Sequence, residues 1–180
     1  MKQTAFIFFV VIAILAGTSC QSPSLKEKIR QQEKQLQNSE PENINQDFLQ
    51  GLVDNYLAYA KNNPEDSLVP YYRFRSADIL MNTNQPADAL EQLDILITRY
   101  SGFEKSADAL FLKGYIYENQ LGELGRAKEV YERFLEKYPE HSFANDVEVS
   151  IEHLGRSPEE LVRIFEQKQK ENQAENSSDK

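Results

Sequence analysis

Tryptophan is absent from this 180-residue chain, cysteine occurs once, histidine twice, and glycine and proline seven times each. A single cysteine leaves no intramolecular disulfide and no CxxC metal or redox site. The seven glycines do not gather into a phosphate-cradling loop. G-x-x-x-x-G-K, G-x-G-x-x-G, H-E-x-x-H and G-x-S-x-G are all missing. His141 and His153 stand twelve positions apart. Neither has metal-ligand spacing to Glu148 or Glu152, so no metal and no catalytic residue is assigned. Positive charge is scarce as well. Twenty Lys and Arg against 29 Asp and Glu give a net charge of −9. That balance argues against nucleic acid, which is bound by cations that neutralise phosphates, and against a basic patch on anionic lipid. No small-molecule substrate or cofactor is implied. The chain is read as a non-enzyme.

What is present begins with an address. Lys2 precedes an apolar run from Ala5 to Ala16, followed by Gly17, Thr18 and Ser19. Twelve apolar residues are too few for a bilayer span, which takes roughly 20. The layout is that of a secretory signal peptide over 1–19. Cys20 follows directly, and the site resembles the lipobox of bacterial lipoproteins, in which the cysteine is lipidated and becomes the first mature residue. Gly17 stands where such boxes carry Leu. Ordinary cleavage with a free thiol and an uncleaved anchor are the alternatives.

Residues 20–46 are rich in Gln, Ser, Glu, Lys and Asn and read as the lipidated Cys20 plus a flexible tether with a reach of about 28 Å. Leu25, Ile29 and Leu36 have heptad-compatible spacing, but fewer than the three to four heptads of a stable coil. The polar stretch 168–180 reads as a disordered tail. Between them, 47–167 is a helical repeat domain. Apolar residues recur three and four apart, and three segments align at i, i+4, i+7, i+11 and i+12. These are Leu52, Tyr56, Tyr59, Asn63, Pro64; then Ala89, Leu93, Leu96, Tyr100, Ser101; then Ala127, Tyr131, Phe134, Tyr138, Pro139. A period of 37–38 residues signifies stacked antiparallel helix pairs. The first helix of each pair falls near 67–83, 102–119 and 142–154. The S-x-x-E boxes at Ser101–Glu104 and Ser157–Glu160 mark helix starts, with Pro158 at a first helical position and Pro70 in a first turn. The unit at 47–64 reads as a lone second helix. The last, 142–166, has Leu161 in place of the small Ala and reads as a polar cap.

Ala109-Leu110, Gly114, Tyr117, Ala127, Tyr131, Phe134 and Pro139 resemble the tetratricopeptide (TPR) signature, most fully over 102–139. Lys113 replaces its Leu, and the turn Leu121–Gly125 is one residue longer than usual. The sub-pattern A-x-x-x-Y-x-x-F-x-x-x-Y-P is similar to repeats of Gram-negative envelope lipoproteins, among them the TPR lipoprotein of the outer-membrane β-barrel assembly machinery and the periplasmic TPR protein of the Tol-Pal system. The resemblance implies an all-α fold, a short TPR-type solenoid of stacked antiparallel helix pairs. It further implies an adaptor anchored by lipid to the bacterial outer membrane, facing the periplasm, and holding a protein or peptide segment of an envelope protein in a concave groove. By register, the groove carries Tyr71, Phe74, Asp78, Met81 and Asn82, then Asp108, Phe111, Tyr115, Glu118 and Asn119, then Asn145, Glu148 and Glu152. Two readings of these positions stay open: rings turned into the core, and acids on an ordinary solvated face. The competing functions are Tol-Pal-type envelope organisation, a structural homo-oligomer, and an enzyme with an unrecognised acidic site.

Overall fold

The structure is a computed structural model that describes residues 23–178. The signal peptide and Cys20 lie outside the described residues, as do Asp179 and Lys180. The described residues form α1 (Leu25–Asn38), a 3₁₀ turn (Pro41–Asn43), α2 (Gln46–Asn62), α3 (Val69–Asn82), α4 (Pro86–Arg99), α5 (Ser106–Asn119), α6 (Leu124–Lys137), α7 (Ala144–His153) and α8 (Pro158–Ser178), with no strand among them. Each helix from α1 to α7 packs on its neighbour in sequence. The fold is an all-α TPR-type solenoid.

The aligned positions are structurally equivalent. Leu52, Ala89 and Ala127 are fully buried, as are the following Tyr56, Leu93 and Tyr131 and then Leu96 and Phe134, with Tyr59 at the same position buried to 6% exposure. The position eleven residues on is the C-cap in every case: Asn63, Tyr100 and Tyr138 leave the helix at φ −134, −124 and −135°. Each cap N–H donates to the carbonyl four residues back. The loops that follow share one backbone design. Two successive three-residue turns link Asn63–Asp66–Val69, Tyr100–Phe103–Ser106 and Tyr138–His141–Ala144 through N–H···O bonds of 2.8–3.1 Å. Side chains then tie repeats together one period apart. Gln85 Nε2 donates to Gln50 Oε1 (3.1 Å), Tyr100 Oη to the Pro64 carbonyl (3.3 Å) and Gln120 Nε2 to the Met81 carbonyl (2.8 Å). A stack bound only to its neighbours therefore holds its register by recurring local contacts.

Gly114 shows why the small residue recurs. A Cβ added there would lie 2.3 Å from Tyr131 Cε1, so α5 and α6 reach this separation only with glycine at the crossing. The four-residue turn between them passes through Gly122 at φ +65°, a conformation glycine adopts without steric cost. Asn84 takes the equivalent place after α3 at φ +59°, which asparagine tolerates.

Five expectations are corrected. Residues 25–38 are not a flexible tether but α1. The side chain of Ser24 caps the Glu27 N–H, and Glu27 returns a bond to the Ser24 N–H. Ile29 is fully buried, and Leu25 and Leu36 pack against the core. The apparent coil heptad is thus the apolar stripe of a helix docked on α2, and α2 belongs to a complete pair. The Ser101–Glu104 box does not form. The double turn delays α5 to Ser106, and Ser106 Oγ donates to the Tyr100 carbonyl instead. The Ser157–Glu160 box is present, at 3.2 and 2.9 Å. The tail is helical, since α8 runs on to Ser178. Finally, the C-terminal end is no polar cap, because Val149, Val162 and Phe165 are 45, 56 and 56% exposed. The second half of its last pair, α8, has no stripe of small residues with which to close onto α7.

Candidate functional site

The first helices of successive pairs, α1, α3 and α5, present one wall of the stack, and two cavities open on it. The α3–α5 cavity, about 360 Å³, is walled mainly by carbon and lined by Met81, Asn82, Phe111, Leu112, Tyr115 and Gln120. Tyr115 is 40% exposed. The Asn119 amide donates to its carbonyl (3.2 Å), and Asn82 likewise bonds the Asp78 carbonyl (2.8 Å). Both amides finish their helices by bonding a carbonyl four residues back. Phe111 contributes one edge to this cavity, but the ring is half-buried against Phe143 (4.9 Å between centroids), Tyr131 and Phe134.

Of the thirteen groove positions expected from sequence, Met81, Asn82, Phe111 and Tyr115 meet in this cavity. The rest are elsewhere. Phe74 packs edge-on against Phe103 in the body. Asp78 pairs with Arg75 at 3.2 Å. Asp108 sits between Lys105 (3.1 Å) and His141 (3.7 Å), bracing α5 against the loop before α7. Glu118 accepts from the Tyr131 hydroxyl at 2.8 Å, and Asn119 caps as described. Each of these five has a partner within its own stack. Asn145, Glu148 and Glu152 are exposed on α7.

Tyr71 opens onto the other cavity, about 480 Å³, between α1 and α3. Arg30, Glu33, Lys34 and Gln37 of α1 and Arg75 of α3 line it with Tyr71. The reading of 20–46 as a tether hid the α1 contribution, although Ser24-x-x-Glu27 is itself a legible helix start. Glu33 is held on the core side, where it accepts from Tyr56 Oη at 2.8 Å. Burial, reinforced by that carboxylate, pushes the Tyr56 phenol well above its ordinary range, and Tyr131 is raised in the same way beside Glu118. Tyr71 is raised too, chiefly by burial and then by Glu33. Tyr59 donates to Asp66 at 2.7 Å; that bond first, then burial, pushes it up to about 12. Tyr56, Tyr59 and Tyr131 stay protonated at physiological pH and act as donors that hold the stack. Among the described residues no three His, Cys, Asp or Glu side chains group as a metal site.

The model of the tetratricopeptide repeat matches residues 108–141, covering most of α5, all of α6 and the turn to His141. The chain contains a TPR repeat. No curated protein and no solved structure matches it. The matched TPR repeat includes Phe111, Tyr115 and the Gly114–Tyr131 crossing, and the α3–α4 pair before it repeats the same caps and turns. TPR repeats generally mediate protein–protein interaction, so the α1–α3–α5 wall is the surface on which that role is sought.

Proposed function

We propose that this chain is a lipid-anchored adaptor of the bacterial envelope that holds a protein or peptide segment against the inner wall of its TPR solenoid. The observation that carries the binding site is the α3–α5 cavity. It is open and largely apolar, and it presents Tyr115, an aromatic ring that the fold leaves 40% exposed. Interface energy concentrates in aromatic anchors seated in such partly desolvated pockets. Signal-like residues 1–19 and Cys20 support export and lipidation. The similarity to β-barrel assembly and Tol-Pal TPR proteins supports a periplasm-facing place on the outer membrane and a part in its biogenesis or organisation. The mechanism is recruitment without chemistry: lipid fixes the domain at a surface and the wall engages the partner.

A photoreactive residue replacing Tyr115 in living cells should yield a discrete adduct, while the same residue replacing the exposed Glu129 of α6 should not. Identical labelling from both positions refutes the groove. Mass spectrometry of Cys20 and membrane fractionation of Cys20→Ala test the anchor separately. A second reading, end-to-end self-association, is favoured by the exposed Val162 and Phe165 of α8. Sedimentation of Phe165→Glu beside the native chain decides it, since this reading requires a mass that rises with concentration and falls in the variant.

A further inference from the structure

The net charge of −9 conceals a local reversal of sign. Lys26, Arg30 and Lys34 recur at four-residue intervals along α1, which sets them on one stripe of the helix. All three are exposed. Arg75 meets Arg30 and Lys34 across the α1–α3 cavity. The acids nearby offset this charge only in part, leaving the cations at the cavity in excess. Glu33 is drawn toward the core by the Tyr56 hydroxyl, and Asp78 is paired with Arg75. None of the ion pairs among the described residues uses Arg30 or Lys34. Two cations one helical turn apart thus stand at a walled opening beside the half-exposed Tyr71.

Helix α3 joins this opening to the apolar one. Tyr71 and Arg75 lie in its first two turns, and Met81 and Asn82 at its end. At about 1.5 Å per residue the two cavities are roughly 10–16 Å apart along the helix. An extended chain, advancing about 3.3 Å per residue, covers that distance in three to five residues. We propose that the wall takes an extended acidic peptide, with Asp or Glu carboxylates between Arg30, Lys34 and Arg75, and an apolar side chain three to five residues away against Tyr115 and Met81. This rests on the groove reading above and adds the sign and spacing of the partner. The charge complementarity selects the occupant. In a chain of net charge −9, three cations around one opening favour an acidic segment there, so the stripe sets the register in which the segment lies.

The test uses the full-length chain in detergent and a fluorescein-labelled probe, Glu-Glu-Gly-Ser-Leu-Phe, followed by anisotropy at about 50 mM and about 500 mM salt. The expected result is at least tenfold tighter binding than the Lys-Lys analogue at low salt, with the gap narrowing at high salt as screening shortens the reach of the charges. Arg30→Glu with Lys34→Glu, two exposed changes whose folding is checked by thermal melting, should remove that preference. Equal affinity for the two probes, or no binding of the acidic one, overturns the proposal. If binding is blind to charge yet lost in Tyr115→Ala, the groove stands and the acidic partner falls; if it is indifferent to Tyr115 as well, both fall. Displacement of the acidic probe by phosphatidylglycerol vesicles, sensitive to the same two substitutions, would reassign the stripe to lipid headgroups and also overturn the peptide.

Discussion

Gly114→Ala tests the close approach of α5 to α6 because two well-known effects oppose each other there. Alanine is favoured over glycine inside a helix by about 1 kcal/mol. Its methyl, however, would stand 2.3 Å from Tyr131 Cε1 and 2.5 Å from Cδ1. The ring cannot swing away cheaply. It is 1% exposed, its hydroxyl is bonded to Glu118 at 2.8 Å, and Phe111 lies 6.3 Å away between centroids. Overpacking of this kind costs typically 1–3 kcal/mol, sometimes more, so the steric term outweighs propensity. A net loss of about 1–2 kcal/mol is expected, or roughly 3–6 °C in melting temperature for a domain of this size. Urea unfolding followed by circular dichroism measures it, with the m-value checked for two-state behaviour. Two controls isolate the cause. Gly125→Ala, early in α6 with nothing within 4 Å of the added methyl, should be neutral or stabilising by up to ~1 kcal/mol. In a Tyr131→Leu background, Gly114→Ala should become harmless, giving a coupling free energy of about 1–3 kcal/mol. A Gly114→Ala protein more stable than the parent would refute the packing argument and with it the reason for a small residue at that crossing.

Ile29→Ala should lower stability by about 2–5 kcal/mol, because the side chain is fully buried; chemical denaturation showing no change would return 25–38 to the status of a tether. Tyr115→Ala should leave the melting temperature within about 2 °C while abolishing partner binding, whereas Phe111→Ala should melt several degrees lower because its ring packs on Phe143. Alkaline titration monitored by tyrosinate absorbance should find Tyr56, Tyr59 and Tyr131 unionised until the fold is lost. Their folded pKa values are raised, so the stability they supply is complete below pH 10 and declines as pH climbs through about 12, the value at Tyr59. In acid the sign reverses for Asp66. The Leu68 N–H, then the Tyr59 hydroxyl, hold its pKa below the ordinary value, so its contribution is present above that value and vanishes as pH falls through the lowered one, which Asp66→Asn should reveal as a flatter acid limb.

The recurrence of small and bulky residues at 52, 89 and 127 and their successors determined the solenoid by itself. Burial at every third and fourth position is a property of one helix, and repetition at a fixed period leaves stacking as the only way to cover the exposed face. The caps at Asn63, Tyr100 and Tyr138 were legible for the same reason. The site was legible only in part: register put Met81, Asn82, Phe111 and Tyr115 on one wall, but which side of an amphipathic helix meets its neighbour depends on crossing geometry. Phe74 and Phe111 occupy register positions like those of Tyr71 and Tyr115, yet the first two pack on Phe103 and Phe143 while the last two remain open. Polar composition alone also disguised α1. Ile29 is its one fully buried residue, and it became core only when α2 supplied the surface against it. That docking brought Arg30 and Lys34 to face Arg75 across a cavity, a grouping of charge that no count along the chain contains, since it arises from folding residues some forty positions apart onto one wall.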